Sequence, residues 1–225
     1  MKGFFLSILF ILNSVVAFAH QEKWDENKVE WSPLMIAIYN GNNDKVREFI
    51  GQNTNINFIT SGKHSNWRLT ALDVAIYMDN EYAAELLLLT NKISKPERFL
   101  MTASKQQSAN TVLLLLKYGA NPNETLSNGY SVLMTAASFG SVEIVECLLN
   151  NGANVNQKRE VDGMTPLMFA TINGDVKKVK LLLAYGADKY SKDKNNDIAL
   201  NYVDRIPDRL QISNSTKNEL RKILK

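Results

Sequence analysis

The sequence predicts an all-α solenoid of about six helix-turn-helix repeats, the last a degenerate unit that caps the array. Three observations predict it. A Thr-Pro-Leu-like turn, an alanine-rich short helix and a leucine-rich second helix recur in that order six times. The turn leucines stand at 34, 72, 100, 133, 167 and 200, with spacings of 38, 28, 33, 34 and 33 residues. Three successive units also end their second helix in Gly-Ala-Asn or Gly-Ala-Asp. A period near 33 residues marks units too small to bury their own apolar face, so that neighbours complete the core.

The repeats follow in order. The first, about 31–57, reads Ser32-Pro33-Leu34-Met35-Ile36-Ala37, then Gly41, Val46, Phe49-Ile50 and Asn55-Ile56-Asn57. The second, about 68–95, reads Thr70-Ala71-Leu72-Asp73-Val74-Ala75 with Leu86–Leu89. The third, about 96–124, keeps Leu100-Met101-Thr102-Ala103, Leu113–Leu116 and Gly119-Ala120-Asn121-Pro122-Asn123. The fourth, about 127–157, has Ser131-Val132-Leu133-Met134-Thr135-Ala136-Ala137, Gly140 and Gly152-Ala153-Asn154-Val155-Asn156. The fifth, about 161–190, is the clearest: Thr165-Pro166-Leu167-Met168-Phe169-Ala170, Gly174, Leu181-Leu182-Leu183 and Gly186-Ala187-Asp188. The sixth, about 193–225, keeps only Asp197-Ile198-Ala199-Leu200-Asn201-Tyr202, and two polar-faced helices, Leu200–Val203 and Thr216–Leu224, are expected to cap the stack.

Local chemistry agrees with this division. Ser or Thr ahead of the turn leucine caps the first helix, and Pro33 or Pro166 sits at the first helical position, where its missing N–H costs nothing. Gly41, Gly140 and Gly174 mark the turn between helices, while Gly119, Gly152 and Gly186 end second helices where a left-handed residue is wanted.

These residues closely resemble the ankyrin repeat family, over nearly everything from Trp31 to the C-terminus. The family's histidine after the turn leucine is replaced by Met35, Asp73, Met101, Met134, Met168 and Asn201, so its hydrogen bonds within the repeat are expected to be absent. The second repeat has Asp79 where glycine belongs and Thr90-Asn91-Lys92 in place of Gly-Ala-Asn; the third has Gln107 at the first glycine position. Between repeats one and two, Phe58–Leu69 forms a longer loop with Gly62, His64 and Trp67.

Residues 1–19 read as a secretory signal. Met1-Lys2 gives a positive start, Phe4–Leu12 an apolar stretch, and Ala17-Phe18-Ala19 the small residues ahead of cleavage after Ala19. Residues 20–30 are a lead-in, and 31–225 form the repeat domain. The mature chain is expected to be periplasmic or secreted, with no membrane-spanning segment after cleavage, and to be a monomer. His20 would become the amino-terminal residue. With His64 the only other histidine, no metal or other cofactor is predicted.

At 225 residues, 45% hydrophobic and 22% charged, the chain can build a sizeable core. A net charge of +3 spread along the chain gives no nucleic-acid footprint. Lys177-Lys178-Lys180 reads as the solvated face of a helix, and the lone Cys147 as a small buried hydrophobe. No phosphate loop, ligand cluster or paired nucleophile stands out, and Asp73 and Asp79 read as capping residues, so catalysis is not expected.

In an ankyrin array the turn tips and first helices line a concave face that binds proteins, and the resemblance implies the same use here. The positions the fold leaves free carry Tyr39 and Asn40, Tyr77 and Met78, Lys105 and Gln106, Ser138 and Phe139, and Ile172 and Asn173. Turn tips add Asn128 and Tyr130, then Asp162 and Met164; the long loop adds Phe58, Trp67 and Arg68. The predicted partner-binding set is Tyr39, Asn40, Trp67, Tyr77, Met78, Tyr130, Phe139, Met164 and Ile172, rich in the aromatic and methionine side chains of interface cores. Exported bacterial ankyrin proteins resemble immunity proteins that neutralise an envelope-acting toxin; others are accessory to oxidative-stress enzymes such as catalase. A host-directed effector is the remaining expectation.

Overall fold

A computed structural model describes residues 31–52, 54–60, 69–93, 96–126 and 128–225. The expected signal and lead-in, and the loop residues 61–68 with His64, Trp67 and Arg68, lie outside the described residues. Five helix pairs follow in order: α1 (Pro33–Tyr39) with α2 (Asn43–Gly51), α3 (Ala71–Tyr77) with α4 (Glu81–Leu89), α5 (Glu97–Lys105) with α6 (Ala109–Lys117), α7 (Val132–Phe139) with α8 (Val142–Asn150), and α9 (Pro166–Ile172) with α10 (Val176–Ala184). First helices pack on first helices and second on second, each pair also packing internally. The result is a two-row solenoid, and a single core runs through it.

The capping residues do what their chemistry dictates. Ser32, Thr70, Ser131 and Thr165 accept a hydrogen bond from the backbone N–H three residues on, at Met35, Asp73, Met134 and Met168. Second helices α2, α4, α8 and α10 use Asn42, Asn80, Ser141 and Asp175 in the same way. Gly119, Gly152 and Gly186 take φ of 87°, 85° and 87°, a conformation that a Cβ would penalise. Asp79 and Gln107 adopt φ of 50° and 61° at the turn where Gly41 and Gly174 stand in repeats one and five. Gly140 departs from its counterparts, with an extended φ of −75° and ψ of 169°; a Cβ there would lie 3.0 Å from Ala136 backbone atoms.

The residue after the turn leucine corrects one expectation. The Thr70 N–H and hydroxyl both donate to Asp73 Oδ2 at 2.8 Å, and Ile198 N–H donates to Asn201 Oδ1 at 2.9 Å. Met134 and Met168 offer Sδ to the N–H of Ser131 and Thr165, each at 3.4 Å. The hydrogen bond survives in these four repeats because each substituent carries an acceptor, strong in Asp and Asn and weak in a thioether.

Asparagines stitch the later repeats together. Asn123 Nδ2 donates to Gly152 O at 3.0 Å while its Oδ1 accepts from Asn154 N–H at 2.7 Å. Asn156 repeats this one unit on, with Gly186 O at 3.0 Å and Asp188 N–H at 2.8 Å. Lys178 is a second correction. Rather than facing solvent it is 6% exposed, its Nζ donating to Ala137 O of the previous repeat at 3.3 Å and lying 3.4 Å from Asp175. A long side chain can bury its stem and still satisfy its charge when acceptors are within reach.

At the C-terminal end the helix expected from Leu200 to Val203 is present as a 3₁₀ helix, Ala199–Arg205, which packs on α9. A short 3₁₀ turn, Asp208–Leu210, leads to α11 (Asn214–Leu224), which packs on α10 and buries Leu220 and Leu224 while leaving Lys222 exposed. Asp193 ties this end together, accepting from the N–H of Asn195 and Asp197 and from the Tyr202 hydroxyl at 2.5 Å. Burial opposes its charge, but those donors outweigh it and hold the carboxyl below the usual carboxylate range.

Candidate partner-binding face

Because the first helices pack in sequence, the residues that close them form one row across the repeats. Tyr39 is half-buried, its ring edge-on to Trp31 at 5.7 Å. Asn40 is exposed and ends α1 by donating its N–H to the Ile36 carbonyl, while the Gly41 N–H takes the Ile38 carbonyl. Tyr77 and Met78 are half-buried; burial, with the Asp73 charge behind it, pushes the Tyr77 phenol above its ordinary value. Repeat three interrupts the apolar row with exposed Lys105 and half-buried Gln106. Phe139 then stands 51% exposed beside half-buried Ser138, and Ile172 is half-buried beside Asn173, whose side chain is tied to Phe169 O at 3.0 Å.

The turn tips form a second line. Tyr130 is half-buried, its ring centroid 5.2 Å from Phe169. The Arg159 guanidinium lies 4.2 Å from the Tyr130 ring and 5.1 Å from Phe169, within range of the attraction between a cation and an aromatic face. Asp162 fixes that arginine, its Oδ1 accepting from Nε at 2.9 Å and its Oδ2 pairing with Nη2. The hydrogen bond from Arg159 holds the Asp162 carboxyl below the usual range. Asn128 and Asp162 shape their tips alike, accepting from the N–H of Tyr130 and Met164 two residues on.

Met164 is the residue whose placement differs most from the sequence expectation. It is 8% exposed and belongs to the core, its side chain covered by Arg159, whose Nη2 lies 3.9 Å from Met164 Sδ. Trp67 lies outside the described residues. The row therefore brings Tyr39, Asn40, Tyr77, Met78, Phe139 and Ile172 onto the first-helix face, with Tyr130 at its turn-tip edge. Sequence reasoning passed over Val161, 68% exposed at the repeat-five tip, although its place one residue before Asp162 marks it as a tip residue. It also passed over Leu89 and Leu113, 54% and 53% exposed on second helices. Leucines in a leucine-rich helix look like core until the helical face is known.

Cys147 is half-buried, and burial raises its thiol, which disfavours the reactive thiolate. Among the described residues no group of three or more His, Cys, Asp or Glu could hold a metal ion, and no helix is long and apolar enough to cross a membrane. The profile of ankyrin repeats, three copies, matches residues 7–97 and 100–193. No curated protein matches the chain.

Proposed function

From the premise that this chain belongs to the ankyrin repeat family, we propose that it binds a protein partner through the first-helix face and its turn tips. The supporting observation is Phe139: a phenylalanine left 51% exposed at the end of a helix whose other large apolar side chains are buried. With Tyr39, Tyr77, Met78 and Ile172 along the same row it supplies the aromatic and flexible apolar area on which protein interfaces concentrate their energy. The role is binding and not catalysis.

The secretory pattern of residues 1–19 supports export of the mature protein to the periplasm or beyond the envelope, and the partner we propose there is a toxin acting on the envelope, which this protein neutralises one-to-one. Recovery of a catalase-like enzyme instead would make the protein its accessory factor, and detection in host cells would make it an effector. Phe139→Ala should weaken capture of the partner by about tenfold or more, the loss of an interface anchor, with thermal melting unchanged. Tyr77→Ala should weaken capture and also lower the melting temperature, since that ring is half-buried. Undiminished capture by both variants, measured by titration calorimetry on the purified pair, would overturn the proposed face.

A further inference from the structure

Departures from the repeat pattern concentrate at one place. Where other first helices have the capping hydroxyl of Ser32, Thr70, Ser131 or Thr165, repeat three has Arg98, and α5 starts after Pro96 with no side-chain cap. The second helix of the same repeat fares no better. Ser108 makes no capping bond; its hydroxyl is drawn across to Asp79 of repeat two at 2.7 Å. The turn between α5 and α6 holds Gln107 at φ 61°, and the preceding repeat holds Asp79 at 50° and Asn91 at 53°. Side chains bearing a Cβ pay for this left-handed conformation, which glycine adopts freely. Ser104, wholly buried where repeats one and two have Ile38 and Ile76, leaves its hydroxyl without a hydrogen-bond partner, the only such buried side-chain atom among the described residues.

The seam between repeats two and three is also built differently. Repeat two ends in Asn91-Lys92-Ile93-Ser94-Lys95, without the asparagine pair that stitches repeats three to four and four to five. Instead, among the described residues, carboxylates of repeat two accept the side-chain bridges: Asp73 from Arg98 at 2.9 Å, Asp79 from Ser108, Glu81 from Asn110 at 2.5 Å, and Glu85 from Lys117 at 3.3 Å and Tyr118 at 3.5 Å. The Lys117–Glu85 pair is 60% and 43% exposed, and exposed ion pairs hold weakly. The α3 and α5 helices also pack less extensively than any other consecutive pair of first helices among the described elements.

We infer that repeat three is a hinge that opens at its seam with repeat two, leaving one block of repeats one and two and another of repeats four to six, to which Asn123 keeps repeat three stitched. In a solenoid each unit is held only by its neighbours, so a weak interior unit separates two stable ones. The blocks carry Tyr39, Tyr77 and Met78 on one side and Tyr130, Phe139 and Ile172 on the other, with polar Lys105 and Gln106 between them. Flexing at repeat three changes the distance between the two apolar patches and lets the face close on partners of different width. The use of the hinge rests on the partner-binding reading; its existence does not, and is measured on the free protein.

Two measurements on the full chain test it. Amide hydrogen exchange should show α5 and α6 about tenfold less protected than α7 to α10, as an interior minimum, and Gln107→Gly should slow exchange there about fivefold by relieving the left-handed residue. In a Cys147→Ser background, spin labels at Asp44→Cys and Glu143→Cys span repeat three, whereas labels at Glu143→Cys and Lys222→Cys do not. The spanning pair should give the broader distance distribution, narrowed by Gln107→Gly. Protection that rises smoothly from the first repeat, with equally narrow distributions for both pairs, would overturn the hinge. Loss of partner capture in Phe139→Ala leaves these readouts unchanged, so the two proposals fail separately.

Discussion

Lys178 shows how a single side chain can reverse what its neighbours suggest. Lys177 and Lys180 are exposed, as the charge run implies, but the helix turns Lys178 inward against repeat four. Spacing alone made it visible in principle, since residues 178, 179 and 182 share the buried side of α10; the residue's charge argued the other way. Lys178→Ala should cost about 2 kcal/mol, from lost stem packing and an unpaired Ala137 carbonyl. Lys178→Met should cost about 1 kcal/mol or less, because a methionine refills the space and burying no charge removes a desolvation penalty. Urea unfolding of both variants checks this, and equal stability for Lys178→Ala and the parent would mean that the ammonium is solvated after all. The same scale explains the histidine position: the sequence names the substituents, but whether a thioether reaches a backbone N–H depends on a rotamer, which no pattern encodes.

At the scale of elements, most of the fold was legible because most helices carry their own start and stop chemistry, α5 and α6 being the uncapped exceptions. Thr165 and Pro166 open α9, Asn173 and Gly174 close it, and the structure follows them residue for residue. The C-terminal unit was less legible: Ala199–Arg205 keeps the apolar residues of a first helix but winds as 3₁₀, with Pro207 ending the run two residues on. Second helices supply the core through residues such as Leu115, Leu148 and Leu182, all wholly buried. Leu182→Ala should therefore destabilise by about 2–5 kcal/mol in denaturant unfolding. A change under about 1 kcal/mol would mean that repeat five contributes little to the cooperative unit, contrary to the asparagine stitching that joins it to repeat four.

For the whole molecule, two questions separate: what shape the array takes, and what the shape holds. The shape follows from period and packing. The face was only partly legible, because exposure depends on how neighbouring repeats overlap. Phe139 emerges exposed while Met164, three residues from the equally tip-like Val161, is covered by Arg159. Tyr130 was identified as a contact, yet half of it serves the Arg159 and Phe169 stack, an arrangement set by residues about 30 and 40 positions away. The central claim, a protein partner on the first-helix face, is tested most directly by placing a photo-crosslinking amino acid at position 139 and, as a control, at the exposed position 146 on the second-helix row. The account predicts a discrete one-to-one adduct from position 139 and none from 146. Adducts from 146 alone, or from neither position in a sample shown to contain the bound partner, would contradict it.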